Sequence, residues 1–190
     1  MTLEKTAVLI DGGYFGKISK HFGNGKHLSV NIVTFSKYLS IKKGLWMNEI
    51  IYYTAPPFQS TPPTEEEIKR KGGYDRFISK LTKHPEVTVR EGRVQKLEEY
   101  KQKGVDTLLV MDLMSFAISK KYKKIILLAC DTDFVPVIRK LEKDDGITTI
   151  LYYYSDRIRK SKFSMSNEIL DICREKSLLT KEHFTRHLYH

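Results

Sequence analysis

Apolar residues along the chain fall into short, nearly continuous runs that alternate with segments in which they recur every three or four positions. Short apolar runs bounded by turn residues are typical of strands buried on both faces, whereas the wider spacing is typical of one face of a helix. Because the two patterns alternate, they predict strands separated by helices. The predicted strands are Thr6–Ile10, Glu49–Thr54, Glu86–Arg90, Lys124–Cys130 and Ile147–Tyr154.

Local signals mark where several helices and loops begin. Thr64 followed by Glu67 has the spacing of a capping box, which predicts a helix start, and Gly72-Gly73 should interrupt that helix. The segment Ala55–Thr64 holds four of the six prolines and must be a loop. The polar segment Arg90–Gln102 gives no clear assignment. The predicted helices are Leu28–Lys42, a segment from Thr64 that Gly72-Gly73 divides, Val105–Lys120, Phe134–Lys143 and Asn167–Lys176.

Strands that alternate with helices over 190 residues predict an α/β domain with a mainly parallel sheet of about five strands. Two of the buried strands end at an aspartate, Asp11 and Asp131. In open parallel sheets the ligand site lies beyond the carboxyl ends of the strands, where the strand order changes direction. A strand order of 3-2-1-4-5 makes these two strands neighbours, so we expect their aspartates to converge.

Four aspartates form the candidate site: Asp11, Asp106, Asp131 and Asp133. Carboxylates that share a crevice repel each other, and a divalent cation relieves that repulsion. Carboxylates without His or Cys suit Mg²⁺ or Mn²⁺, which can activate water for attack on a phosphodiester. Each aspartate also has a plainer interpretation as a turn former or helix cap. Asp112 lies about 120° from Asp106 around the helix, so we expect it to support the site or the structure instead.

The charge of the chain makes polyanions the first class of partner to consider. Lys and Arg number 33 against 23 Asp and Glu, which gives a formal net charge of +10. No acidic residue occurs between Gly12 and Asn48, and further basic clusters lie near residues 120 and 160. Such clusters either contact a phosphate backbone or solvate helix ends, and Lys103 is equally well explained as an ordinary surface lysine. The candidate nucleic-acid contacts are Lys17, Lys103, Lys120, Lys121, Arg157 and Arg159.

Several protein classes fit the sequence poorly. No apolar run approaches the roughly 20 residues of a membrane span, and the first residues lack a signal-peptide pattern, so we expect a cytoplasmic protein. Cys130 and Cys173 are too few and too scattered for a disulfide framework. Asp131-Thr132-Asp133 also fits the start of a haloacid-dehalogenase phosphatase, but too little chain follows it for that fold. The Tyr and Phe content permits a homodimer without requiring one.

Three segments of the chain carry a specific combination of motifs. They are Ile10–Phe15 (IDGGYF), Lys103–Thr107 (KGVDT) with Asp112, and Asp131–Ile138 (DTDFVPVI). Together these segments resemble the three motifs of the NYN domain family, the LabA-like branch of the PIN-like nucleases. Family members often carry Asn where this chain has Tyr14, so the match is close but not complete.

The resemblance implies a three-layer Rossmann-like fold and metal-dependent cleavage of RNA, with Mg²⁺ or Mn²⁺ as the cofactor. It indicates a single NYN/PIN-like domain over residues 1–190, with a motif-bearing core at about 6–154 and a C-terminal helical extension at about 155–190. We therefore expect a ribonuclease, and the alternative is a catalytically inactive RNA-binding or regulatory module with the same fold. By motif position, the acidic metal-binding roles go to Asp11, Asp106, Asp131 and Asp133.

Overall fold

The computed structural model describes residues 3–96, 100–156, 163 and 167–189, with the backbone alone for residues 95, 96 and 100–103. Among these residues, six strands form one sheet in which every neighbouring pair is parallel, and two further strands form an antiparallel hairpin. The strands in chain order are β1 (Glu4–Asp11), β2 (Leu45–Thr54), β3 (Val87–Glu91), β4 (Arg93–Lys96), β5 (Tyr100–Lys103), β6 (Lys124–Leu128), β7 (Thr148–Tyr153) and β8 (Glu175–Leu178).

Helices cover both faces of the sheet, so the fold has three layers. Alternate residues of β1 enter two separate cores: Ala7 and Leu9 pack on one face, and Val8 and Ile10 pack on the other. None of the described helices is long and apolar enough to cross a membrane. The helices are α1 (Gly12–Phe22), α2 (Ile32–Ile41), α3 (Glu65–Leu81), α4 (Val105–Ser119), α5 (Val135–Lys143), α6 (Asn167–Ile172) and α7 (Lys181–Thr185).

The order of the main sheet is β3-β2-β1-β6-β7-β8. Leaving the hairpin aside, this is the predicted order 3-2-1-4-5 with one more strand added beside β7. The predicted α/β class and parallel sheet are therefore confirmed. The two central strands, β1 and β6, are neighbours, and the strand order changes direction between them, as the prediction required.

The C-terminal segment departs from the prediction of a helix at Asn167–Lys176. The helix α6 ends at Ile172, and β8 begins at Glu175, so the C-terminal extension is not purely helical. The residues of β8 alternate between half-buried and exposed, which is the period of a strand. Pairing with β7 and a 2.6 Å ion pair from Lys124 Nζ to Glu175 Oε1 stabilise the strand. Neither contact is visible in the local sequence.

The helix α3 also differs from the prediction, because it runs without interruption through Gly72-Gly73. Each glycine lowers helix stability by about 1 kcal/mol, but it keeps the backbone N–H that a helix needs. The predicted capping box closes the start of the helix: Thr64 N donates to Glu67 Oε2 at 2.9 Å, and Glu67 N donates to Thr64 Oγ1 at 3.3 Å. The segment Arg90–Gln102, which the sequence pattern did not assign, contains β4 and most of β5, and these two strands pair in the antiparallel direction.

Candidate functional site

The carboxyl ends of β1 and β6 lie side by side at one edge of the sheet. Ile10 is paired with Leu128, so Asp11 is the next residue along β1, and Asp131 follows three residues after Leu128. The N-terminus of α4, which carries Asp106, packs against the turn that follows Asp131. All four predicted aspartates therefore belong to elements that meet at this edge.

Asp11 lies at the start of α1, where it caps the helix. Its Oδ1 accepts hydrogen bonds from the backbone N–H of Gly13 at 2.8 Å and of Tyr14 at 3.2 Å. The turn is tight, because a Cβ on Gly12 would lie 2.6 Å from the carbonyl oxygen of Tyr53. Both described hydrogen bonds end on Oδ1, so the cap interpretation and a ligand role for Oδ2 are compatible.

Asp131 and Asp133 lie on a single 3₁₀ turn, Thr132–Phe134, directly after β6. Asp131 caps this turn, since its Oδ1 accepts a hydrogen bond from Asp133 N at 3.0 Å. Both aspartates are exposed, whereas Phe134 is fully buried and anchors the turn in the core. The anchored turn presents two carboxylates to solvent at the edge of the sheet.

Asp106 lies in the first turn of α4, just after Gly104. Gly104 occupies the capping position, with a positive φ of 83° that a residue with a side chain rarely adopts. The plainer interpretation of Asp106 as the cap of its helix is therefore not what the structure shows. Its carboxylate is exposed and remains available to the site.

The electrostatics of the site show that these carboxylates influence one another. Burial raises the pKa of Asp11, and repulsion from Asp106 raises it further, while the two N–H donors and Lys17 lower it. Burial also raises the pKa of Asp106, and the charges of Asp131 and Asp133 add to that shift. The negative charges of these side chains repel one another, and a bound cation would reduce that repulsion.

Cys130 lies among these carboxylates, between β6 and Asp131. Burial raises the pKa of its thiol to about 11, and the negative charges of Asp11, Asp131 and Asp106 contribute to the shift. The thiol is therefore protonated near neutral pH and is not a nucleophile.

The oxygen-only donor set fits a hard divalent ion such as Mg²⁺ or Mn²⁺. In the described part of the chain, however, no three His, Cys, Asp or Glu side chains are grouped closely enough to hold a metal ion as they are oriented. The four aspartates thus lie at one edge of the sheet and interact through their charges, but their side chains do not surround a single metal position.

Asp112 is engaged elsewhere. Its Oδ2 accepts hydrogen bonds from Tyr53 Oη at 2.9 Å and Arg90 Nε at 3.2 Å, and its Oδ1 accepts one from Arg90 Nη2 at 3.0 Å. These bonds join α4 to β2 and β3. The hydrogen bond to Asp112 raises the pKa of Arg90, whereas burial, followed by the charge of Asp112, raises the pKa of Tyr53. The sequence analysis missed both partners of Asp112, because Arg90 is 22 residues away and nothing local marks the pair.

The candidate basic residues are spread over both edges of the sheet. Lys17 is exposed on α1 and close enough to lower the pKa of Asp11. Lys120 and Lys121 lie before β6, at the opposite edge, and each forms an ion pair of 2.6 Å, with Asp145 and Glu49 respectively. The structure does not bring them to the carboxylates.

Three other candidates for nucleic-acid contacts are described in part or not at all. Lys103 is described by its backbone alone, which pairs with Arg93 in the hairpin. Arg157 and Arg159 lie outside the described residues.

A parallel three-layer α/β fold with aspartates at the switch point of the sheet occurs in many protein classes, and PIN-like nuclease domains are one of them. The family model for the NYN domain matches residues 5–173. Because the match covers most of the chain, the chain belongs to the NYN domain family, as its motifs predicted.

Among solved structures, the chain is similar to the crystal structure of a protein of unknown function, VPA0982, from Vibrio parahaemolyticus. The TM-score is 0.62 at 14% sequence identity, over 96% of each chain. At this identity the similarity shows the fold alone. A search of proteins with curated function finds no match.

Proposed function

We propose that this protein is a Mg²⁺- or Mn²⁺-dependent ribonuclease whose site is formed by Asp11, Asp106, Asp131 and Asp133. The observation that carries the proposal is that β1 and β6 are neighbours and that α4 contacts the turn after β6, so that aspartates from three separate parts of the chain interact electrostatically. Membership of a PIN-like nuclease family supports the same reaction.

Each part of the site has a role that follows from its position. Asp11 is oriented by two backbone N–H groups that both bind Oδ1, so Oδ2 takes no part in these two bonds and would be the oxygen that binds the ion. Asp106, Asp131 and Asp133 supply exposed carboxylates that would hold the ion. A bound ion would supply an activated water and would stabilise charge on the phosphodiester oxygens. Lys17, beside Asp11, would contact a neighbouring phosphate of the RNA.

Cleavage of labelled RNA in the presence of Mn²⁺ tests the proposal. Purified protein should cut single-stranded or structured RNA with Mn²⁺ or Mg²⁺ and should not do so in EDTA. Asp131→Asn removes a charge without changing shape and should lower the rate by on the order of 100-fold or more. Asp144→Asn is the matched control, because it makes the same change at an exposed position after α5 and should leave the rate unaltered.

Two outcomes would contradict the ribonuclease. Equal cleavage by Asp131→Asn, or by the wild type in EDTA, would show that another activity was being measured. Tight, salt-sensitive RNA binding without turnover in either metal would instead identify an inactive RNA-binding module with the same fold.

A further inference from the structure

The helix α3 buries few of its residues completely. All 17 of its residues are described, and of these Glu67 and Leu81, near its two ends, are the buried ones. A surface helix of a globular protein normally buries a continuous apolar stripe. The inner face of α3 is half-buried instead, with Phe77 packed against the core, and a space remains beneath the rest of that face.

That space is a cleft between α1 and α3, with a volume of about 790 Å³. Its floor includes Gly12, Phe15 and Tyr52, so the cleft opens directly beside Asp11, at the carboxyl edge of the sheet. Pockets for small ligands have volumes of roughly 300–1,000 Å³, so the cleft is large enough for a nucleotide.

The residues of α3 that line the cleft recur at the spacing of one helix face. Toward the start of the helix this face is charged and mainly basic, and toward the end it is aromatic. A polyanion with flat, apolar bases has the complementary arrangement of groups. The lining residues of α3 are Glu66, Lys69, Arg70, Gly73, Tyr74 and Phe77.

Two glycines inside helices keep the cleft open. A Cβ on Gly73 would meet no atom within 4 Å, and one on Gly16, across the cleft in α1, would come no closer than 3.6 Å to His27. A glycine in the middle of a helix costs about 0.5–1 kcal/mol relative to alanine. Because a Cβ would fit at both positions, packing does not explain why each helix has glycine there instead of alanine.

The aromatic side chains of the cleft are held in place before any ligand binds. Tyr74 donates a hydrogen bond from its hydroxyl to Glu91 Oε1, and Thr54 hydrogen-bonds the same hydroxyl. Phe77 packs edge-on against Tyr52, with ring centroids 5.4 Å apart. Rings that are already ordered lose little entropy when a base stacks on them.

We propose that the cleft between α1 and α3 binds one nucleotide of single-stranded RNA, with the base against Tyr74 and Phe77 and a phosphate at Lys69 and Arg70. The inference rests on the proposed function, since the cleft is lined by Gly12, the residue that follows Asp11. It adds to that function the place where one unpaired base is held.

Binding of a short fluorescent oligoribonucleotide in EDTA tests the cleft without cleavage. Gly73→Leu fills the cleft, whereas Gly72→Leu makes the same change at a neighbouring position of α3 that does not line it. Both replacements favour the helix, so both variants should melt at or above the wild-type temperature. Gly73→Leu should bind the RNA about 5- to 150-fold more weakly, the contribution of one stacked base. Gly72→Leu should bind as the wild type does.

Equal affinities of the two variants, whether both unchanged or both reduced, would overturn the proposal. Photo-crosslinking of RNA containing 4-thiouridine to the wild-type protein gives an answer that does not depend on the folding of a variant. Crosslinks should map to α3, and crosslinks found only elsewhere would refute the site. Because neither experiment requires cleavage, the cleft can fail while the ribonuclease stands, or bind RNA while no cleavage is found.

Discussion

Replacing Gly12 by alanine should destabilise the protein, whereas the same replacement at Gly16, in the same helix, should stabilise it. At Gly12 the new Cβ would lie 2.6 Å from the carbonyl oxygen of Tyr53 and 2.8 Å from the ring of Tyr52. The carbonyl belongs to β2, which is paired with a strand on each side, so moving it aside is costly. At Gly16 the nearest atom is 3.6 Å away, which is an ordinary contact.

The expected magnitudes follow from these distances. Overpacking against a fixed backbone costs about 1–3 kcal/mol, and Gly12 gains little helix propensity because it is the first residue of α1. Alanine at Gly16 should gain about 0.5–1 kcal/mol, since that position is in the helix interior. For a chain of this size, about 1 kcal/mol changes the melting temperature by about 2–4 °C.

Urea denaturation and thermal melting of the two variants measure the difference directly. Gly12→Ala should unfold at a lower urea concentration and Gly16→Ala at a slightly higher one, with equal m-values. A Gly12→Ala variant as stable as the wild type would refute the reasoning, because it would show that Asp11 does not depend on the close approach of α1 to β2.

Three further predictions concern charge. Burial, and then the charges of Asp131 and Asp133, raise the pKa of Asp106 in the folded state, so its ionised form costs stability above that pKa and the cost disappears as the pH falls through it. Asp106→Asn should therefore melt higher than the wild type in EDTA at pH 7, by a margin that shrinks toward acid pH. Hydrogen bonds from Ser60 and Thr64 lower the pKa of Glu67 to about 2. The stabilisation from the Glu67 carboxylate should therefore be complete above the ordinary pKa of 4.5 and should be lost as the pH falls toward 2. In urea titrations across this pH range, Glu67→Gln should lose less stability than the wild type. Lys17→Ala should weaken RNA binding and reduce the slope of log affinity against log salt concentration by about 1. Lys121 is ion-paired at the opposite edge of the sheet, so Lys121→Ala should change neither quantity. Fluorescence anisotropy at several salt concentrations measures both.

The features of the fold that could be predicted are those that depend on the residues of one short stretch of the chain. The buried runs Ala7–Ile10 of β1 and Ile125–Leu128 of β6 are entirely apolar, and the order of the two strands follows from the parallel topology and the motif match. The capping box at Thr64 and Glu67 is a short-range pattern, and the structure contains it as predicted. The acidic edge could be predicted because Asp11 ends β1 and Asp131 follows three residues after the end of the adjacent strand β6.

The features that could not be predicted depend on contacts between distant residues. β8 is a strand because it pairs with β7, and its polar sequence alone fits a helix equally well. Asp112 is occupied by Arg90 and Tyr53, which come from two other strands. The orientation of the aspartates also depends on backbone N–H donors and on the anchored turn at Phe134, which no spacing of carboxylates reveals.

The cleft between α1 and α3 did leave a signal in the sequence, but its meaning was missed. Gly72-Gly73 was interpreted as a break in the helix, whereas Gly73 is one member of a continuous helical stripe with Lys69 and Phe77. A periodic stripe that mixes cations, glycine and aromatic residues differs from a core stripe. A helix face of this composition is what the proposed nucleotide site requires.

Anomalous diffraction from crystals soaked in Mn²⁺ tests the central claim most directly. The account predicts a peak at the carboxyl edge of the sheet, in contact with carboxylate oxygens of Asp106 and of at least one of Asp11, Asp131 and Asp133. The peak should vanish in crystals of Asp106→Asn. Saturating Mn²⁺ that leaves this edge without density, or that gives density only at other acidic residues, would contradict the account.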